Sequence, residues 1–461
     1  MTSKTHKYHL LGLGGAGMSA LAGILLARGY QVTGSDLKES ATLASLKAKG
    51  AHYYIGHSAE QIGEADIVIR SGAVQDDNPE LVAAARKKLP ILSRGEAIRE
   101  LFKGATMLAV SGSHGKSSTT SMLGQVLTEL GLNPTVLVGG YVQAFEGNYR
   151  LGRDDLVVIE ACEYDKFFLQ LQPTYAAVLN LELEHTDQYP TLSAAEQAFR
   201  QFVRQTSPSG GVVICADSPV AVRLGEDSPG QLITYSLHGR ATLSARGVEV
   251  DEEGSRFQVL KEGRLVASAR LPLYGEQMIS NALATLGLAE LAGADLLEAI
   301  AALAKIKPVE RRFDIKGEVS GVLLVDDYAH HPSEIAATIK TARAWFKRPV
   351  MAIFQPHLYS RTRDLKRDFG RALALADQVI ITDVFAAREK PIAGVSGELL
   401  AEEVRSSSEA GRVCFVHTPE QAAELAVELL EPGWVALVMG AGDINKLIPE
   451  LERRLLAPAK A

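Results

Sequence analysis

The sequence predicts an α/β protein of three domains, in which two Rossmann-like domains flank a central P-loop ATPase-like domain with additional antiparallel strands. Three observations carry this expectation. Short apolar runs alternate with helical patterns along most of the chain, two glycine-rich turns each follow such a run and open a helix, and one central stretch alternates residue by residue. A chain of 461 residues has room for about two to four domains.

The first domain is expected over residues 1–104, where HLLGLG, MSALAGILLARG, QVTGSD, ADIVIRSGA and ELVAAARKK follow one another in the rhythm of βαβ units. The second, 105–307, opens on the strand MLAV. Its later part, Leu232 to Leu273, reads as antiparallel strands (TLSARGVEV, RFQVLKEG, RLVASARL) joined by turns at acidic-Gly sites. The third, 308–461, contains VLLVDD, VMAIF, QVIITDV, RVCFVH and WVALVMG, each leading into an amphipathic helix, which is the rhythm of a parallel, doubly wound sheet.

Composition narrows the function classes. With 46% hydrophobic and 22% charged residues the chain is ordinary globular protein, and its net charge of −7 disfavours nucleic acid or an anionic membrane as partner. Cys162, Cys215 and Cys414 lie far apart without metal-ligand spacing, as expected of reduced thiols in the cytoplasm. Leu10 to Ala27 is uncharged and preceded by Lys4 and Lys7, like a signal peptide. Gly12, Gly14, Gly15 and Gly17 suit a strand, a tight turn and a helix better, so neither a targeting segment nor a membrane span is expected.

Two turns carry phosphate chemistry. Gly12-Leu13-Gly14-Gly15-Ala16-Gly17 is a GxGxxG with Asp36 downstream. Its glycines let the backbone approach a diphosphate, which the helix N-terminus stabilises; a dinucleotide or a UDP-sugar satisfies this equally. Gly112-Ser113-His114-Gly115-Lys116-Ser117-Ser118 departs from the general P-loop, having Val110 at the first glycine position. It keeps the backbone N–H groups, the cation of Lys116 and the Ser117 hydroxyl for Mg²⁺, and so points to ATP. Lys116 opposes the helix dipole there, which an anion in front of it would explain.

Further candidates stand at strand ends. Glu160 and its neighbours in EACEYD, and His185 in NLELEH, are expected beside Mg²⁺. Asp327 and His330 in DDYAHHP could accept a proton or orient an amine. Arg361 and Arg363, read as a helix start, could bind a carboxylate.

With these motifs in place, the chain resembles the Mur ligase family from end to end, through GLGGAGMS, SGA at Ser71–Ala73, GSHGKSSTTS, EACEYD, ELEHTDQY, VERRFD, VDDYAHHPSE, FQPHLYSRTRDL and GAGDI. The resemblance implies a UDP-N-acetylmuramate-binding first domain, an ATP-binding second and an amino-acid-binding third. It implies ATP-driven amide formation through an acyl phosphate, with Mg²⁺ and with L-alanine as acceptor, in a cytoplasmic monomer or homodimer. A recycled tripeptide is the alternative acceptor. By residue matching, Gly12, Gly14, Gly15, Ala16, Gly17, Met18, Asp36, Ser71 and Gly72 would bind the UDP-sugar, and Gly112 to Ser118 the nucleotide. Asn281 and Arg312 would also reach the nucleotide, while Ser117, Glu160 and His185 would serve the metal. Lys116, Arg312, Asp327 and His330 would be catalytic, with His330, Arg361 and Arg363 on the amino acid. The family's adenine-contacting R-H-N-x-x-N reads Glu276-Gln277-Met278-Ile279-Ser280-Asn281 here, so only Asn281 is retained.

Overall fold

Apolar runs interrupted by glycine turns pair into three separate sheets in the computed structural model, which describes residues 6–186, 188–387, 389–407 and 413–456. The first sheet contains β1 (Lys7–Leu11), β2 (Gln31–Asp36), β3 (His52–Ile55), β4 (Ile67–Arg70) and β5 (Ile91–Ser93). It is wholly parallel in the order β3-β2-β1-β4-β5. Chain direction across the sheet reverses between β1 and β4, and a ligand crevice opens at the carboxyl ends of such neighbouring strands.

The second sheet has ten strands: β6 (Thr106–Ser111), β7 (Pro134–Val142), β8 (Gly147–Arg150), β9 (Arg153–Glu160), β10 (Tyr175–Val178), β11 (Gly211–Cys215), β12 (Gln231–Ser236), β13 (Leu243–Asp251), β14 (Gly254–Lys261) and β15 (Arg264–Leu271). β6 lies between β9 and β10 and parallel to both, so the turns after these three strands converge. β13, β14 and β15 form the antiparallel meander expected of the alternating stretch. Its second turn falls on Glu262 and Gly263, both at positive φ.

The third sheet comprises β16 (Asp314–Val319), β17 (Val322–Asp327), β18 (Val350–Phe354), β19 (Gln378–Ile381), β20 (Val413–Phe415) and β21 (Val435–Met439), in the order β16-β17-β21-β18-β19-β20. Its five parallel strands are those read from the sequence. β16 is an addition: it pairs antiparallel with β17 through a tight turn at Ser320 and Gly321, and its alternating burial marks an edge strand.

Contacts group the chain into two compact units. One holds residues up to Pro272 with Met278–Val309; the other holds Leu273–Gln277 with residues from Glu310 onward. The first two sheets therefore share one unit, and a single apolar cluster runs from Leu10 and Leu21 through Phe102 and Phe168 to Phe202 and Ile214. The helix Ala16–Ala27 meets the hairpin of β7 and β8: the Asn148 amide donates to Ala16 O at 2.7 Å and Ser19 Oγ at 2.9 Å. Tyr149 lies so close to Gly23 that a Cβ there would come within 2.1 Å of the ring. Among the described residues no helix is long and apolar enough to cross a membrane.

Candidate active site

The larger unit holds two strand–turn–helix loops. After β1 the chain turns at Gly12 (φ +77°), a left-handed conformation that a side chain would strain. Gly12 and Leu13 donate their N–H groups to Ser35 O at 2.9 and 3.0 Å, and Ser71 backs the turn by donating its N–H to Leu11 O at 3.1 Å. Asp36 anchors the loop itself, its Oδ2 accepting the Gly14 N–H at 2.8 Å; a Cβ on Gly14 would stand 3.0 Å from that oxygen. The helix begins at Ala16, with Gly15 as its N-cap, so the first-turn amides face outward. Gly17 is close to Arg94, and Gly72 approaches Asp165 so nearly that a Cβ would fall 1.6 Å from Oδ2. The Met18 side chain is buried in the apolar core, on the inward face of the helix, so its part at the crevice falls to its backbone N–H, one of those first-turn amides.

Behind this loop is a buried charged cluster. Glu80 is bonded to His9 Nε2 and, at 2.6 Å, to His57 Nδ1, while Ser35 Oγ meets His57 Nδ1 at 3.1 Å. Burial pushes the Glu80 carboxyl up, but the hydrogen bonds with His9, His57 and Ser35 hold it below its usual value.

The second loop follows β6. Gly112 (φ +143°) and Gly115 (φ +84°) make the turn, and Lys116 starts a helix running to Glu129. The N–H groups of Ser113 and His114 bond Asn180 (O at 3.2 Å, Oδ1 at 2.8 Å), and Ser113 Oγ accepts the Glu182 N–H at 2.9 Å. The turn after β10 thus shapes the loop, and the amides of Gly115, Lys116, Ser117 and Ser118 at the helix start are the ones aimed at an anion. Asn281 is buried beside this turn, 2.5 Å from where a Cβ on Gly115 would be, and its amide points toward Met278 Sδ.

Lys116 is largely withdrawn from solvent at the start of this helix. Its Nζ donates to Gly112 O (2.6 Å) and Ser113 O (2.9 Å) and pairs with Glu163 at 3.0 Å; its side chain is 12% exposed. Burial lowers its pKa, but Glu163 and neighbouring acidic groups more than offset that and hold the ammonium above its usual value. Glu163 is itself pushed up by burial and by Glu184, against the pull of Lys116. Burial drives the Cys162 thiol up to about 12, so it is no nucleophile at neutral pH.

Glu163, Glu184 and His185 each bring a ligand atom within 4.8 Å of the others. Two buried carboxylates, with Lys116 the ammonium paired to one of them, suit a divalent cation held mainly by oxygen. Glu160, expected in this role, instead accepts the Gly139 N–H at 2.7 Å, because β9 ends with its side chain turned toward β7. Both missed acids were visible in EACEYD and ELEHTDQY, but the chain bend that selects among their carboxylates was not. That bend is strained: Asp165 (φ 56°), Lys166 (φ 50°) and His185 (φ 53°) all adopt left-handed backbone.

In the smaller unit, Asp327 ends β17 buried. Its Oδ1 accepts the Ala329 N–H (2.8 Å), and its Oδ2 accepts the Phe313 N–H (3.1 Å) and the Thr338 hydroxyl (3.0 Å). Burial pushes it up to about 6 against the pull of Arg312. With both oxygens engaged, it pins the turn rather than standing open as a base, which corrects its assignment. His330 Nδ1 lies 2.9 Å from Tyr328 O and 3.3 Å from Glu334, both acceptors, so Nδ1 is a donor in this arrangement. Arg312 is stacked over Tyr328 at 4.9 Å.

The expected arginine pair does not form. Arg361 is buried, whereas Arg363 is 53% exposed and pairs with Asp364 at 2.7 Å. Residues two apart on a helix face away from each other. Both lie in the last turn of the helix Tyr359–Asp364, where the dipole favours cations, so the dipole argument for a ligand there falls.

Comparison with known proteins follows this geometry. Residues 7–106 match "Mur ligase family, catalytic domain", 110–289 "Mur ligase middle domain" and 311–442 "Mur ligase, glutamate ligase domain". A UDP-N-acetylmuramate–L-alanine ligase of Rubrobacter xylanophilus is 43% identical over 97% of this chain and all of its own. The crystal structure of a UDP-N-acetylmuramate-alanine ligase from Thermotoga maritima is similar at a TM-score of 0.82 and 31% identity, covering 97% of this chain and 98% of that one. A murein peptide ligase from Psychrobacter arcticus shares the fold at a TM-score of 0.71 and 22% identity, over 99% and 100% of the two chains.

Proposed function

Since the chain belongs to the Mur ligase family, we propose that it joins L-alanine to UDP-N-acetylmuramate at the expense of ATP. The observation that carries this reading is the end-to-end likeness to relatives bearing that activity as their name. Arg361 and Arg363, expected to bind a carboxylate, one buried and the other exposed, give it no support.

The chemistry follows from the poor electrophilicity of a carboxylate. The substrate carboxylate attacks the terminal phosphoryl group of ATP, ADP leaves, and the resulting acyl phosphate is attacked by the amine. Inorganic phosphate and one proton leave as the amide forms. Catalysis of such steps is largely positioning and charge neutralisation. Lys116 would neutralise the transferring phosphoryl group, the first-turn amides from Gly115 to Ser118 would hold the phosphates, and the loop from Gly12 to Gly17 would hold the UDP diphosphate. Mg²⁺ would be held by Glu163, Glu184 and His185, with Ser117 beside it, and would supply charge neutralisation at the phosphates. His330, its ring oriented by the Tyr328 carbonyl, would face the amine. Nucleotide substrates of this kind place the reaction in the cytoplasm.

The test is phosphate release with UDP-N-acetylmuramate and ATP, comparing kcat/KM for L-alanine, glycine, L-serine and L-alanyl-γ-D-glutamyl-meso-diaminopimelate. L-alanine is expected to lead, with glycine retained at a loss of about 1–3 kcal/mol for one methyl group. A higher kcat/KM for the tripeptide would make the chain a peptide ligase on the same scaffold.

A further inference from the structure

Arg94 stands in a place that is costly for an arginine. It follows β5 as the first residue of the helix Arg94–Leu101, where the dipole disfavours a cation. Its guanidinium carbon stands over the Phe167 ring, 3.7 Å from the centroid, and the residue is half-buried. Burial pulls its pKa below the usual value; Cys162, Glu160 and Asp165 oppose this only through space. Among the described residues no carboxylate comes within ion-pair range of it, and no side chain or carbonyl accepts a hydrogen bond from it. A half-buried guanidinium with donors that no protein acceptor takes up is well suited to receive an anionic ligand.

The guanidinium points at the N-terminal glycine loop. A Cβ built on Gly17 would stand 1.4 Å from Nη1, so the arginine occupies the space that the absent side chain leaves, against the second residue of the helix beginning at Ala16. That loop has amides and a helix N-terminus but no lysine or arginine between Gly12 and Gly17. We propose that Arg94 is a substrate-binding residue that grips the diphosphate of the UDP-sugar and supplies the positive charge its glycine loop lacks. This rests on the reading that the loop holds that diphosphate. A guanidinium can present two parallel N–H donors to a phosphate, and over Phe167 it is already oriented, so little side-chain freedom is lost on binding.

The test uses the full chain, with UDP as the probe for binding and UDP-N-acetylmuramate for turnover. Arg94→Met is expected to weaken UDP binding and to raise KM for the UDP-sugar by roughly 10–100-fold, as for loss of a charge-assisted hydrogen bond, while KM for ATP holds. The ligand-free variant should melt close to the wild-type temperature, because Arg94 has no ion pair or hydrogen bond to lose and Met keeps contact with the Phe167 ring. Arg94→Lys should recover only part of the affinity. Gly17→Ala, which pushes the guanidinium aside without removing it, should give a smaller loss in the same sense, and it decides the matter should Arg94→Met not fold. Unchanged UDP affinity in folded Arg94→Met overturns the proposal. So does a raised KM for the UDP-sugar with UDP affinity intact, which would put the guanidinium on another part of the substrate. Gly15→Val separates the two levels. If it loses UDP and Arg94→Met does not, the loop reading stands and the proposal fails; if it binds UDP normally, the loop reading fails first.

Discussion

The loops after β1 and β6 share one local plan, a parallel strand, a glycine turn and a buried helix, yet they are furnished differently. The loop from Gly112 to Ser118 carries its own cation, held by Glu163 and two loop carbonyls. The loop from Gly12 to Gly17 carries none, and its polar anchor is Asp36, an acid that fastens the Gly14 amide. On the proposed reading the difference matches two tasks. A loop that must stabilise charge on a phosphoryl group in transit needs a cation built into it, whereas one that retains a diphosphate can offer donors and room and take its cation from elsewhere in the fold.

Four substitutions probe that contrast. The largest effect is expected from Lys116→Ala: kcat should fall at least about 10²–10³-fold, as when one preorganised charge is removed from a transition state. Because Glu163 is then buried without its partner, the variant should also lose on the order of 3–5 kcal/mol of stability. Adding Glu163→Gln should restore much of the melting temperature and none of the turnover. Retention of both activity and stability in Lys116→Ala would erase the distinction between the loops.

Gly14→Val should act on one loop alone. The new side chain meets Asp36 Oδ2 and dislodges the anchor, and KM for the UDP-sugar should rise by roughly tenfold or more while KM for ATP is unchanged. Equal changes in both constants would show that the loop merely shapes the fold.

The smallest effect concerns the support behind the first loop. Glu80 has its pKa lowered in the folded state, so its contribution to stability is present above the ordinary carboxylate value of 4.5 and is lost as pH falls through the lowered folded value. Glu80→Gln should therefore cost about 1–2 kcal/mol at neutral pH, and the gap to the wild type should close at strongly acidic pH. Melting curves across that range check the sign. A gap that widens in acid would mean that Glu80 is protonated in the native protein.

Much of this arrangement was legible in the chain itself. Glycines beside a strand, and a lysine opening a helix, have few structural uses, so Gly12, Gly112 and Lys116 announced the loops from local pattern alone. The central strands β17, β18 and β21 of the third sheet were equally plain because both of their faces are buried and they read as unbroken apolar runs. β16 was missed because an edge strand that alternates and contains Gly317 looks like a loop. The choice of Glu163 and Glu184 over Glu160 depended on left-handed residues in the bends, which no side-chain pattern encodes. Arg361 and Arg363 misled because sequence proximity was taken for proximity of side chains. Arg94 left no signal at all: its significance lies in Gly17 and Phe167, far apart along the chain, meeting at one guanidinium.

The hairpin of Asn148 and Tyr149 against the helix Ala16–Ala27 bears on how such a chain can be recombined. A module boundary drawn by sheet content would fall near Ala105, between β5 and β6. A graft made there would import a helix whose notch at Gly23 had been cut for another protein's aromatic ring, and whose Ala16 carbonyl had lost its amide partner. The transferable part is the larger unit entire, exchanged at Val309 with the Leu273–Gln277 segment left behind. Shuffled N-terminal domains should therefore be recovered with their own middle domains attached, and chimeras that separate the two should accumulate compensating changes at positions 23 and 149 first.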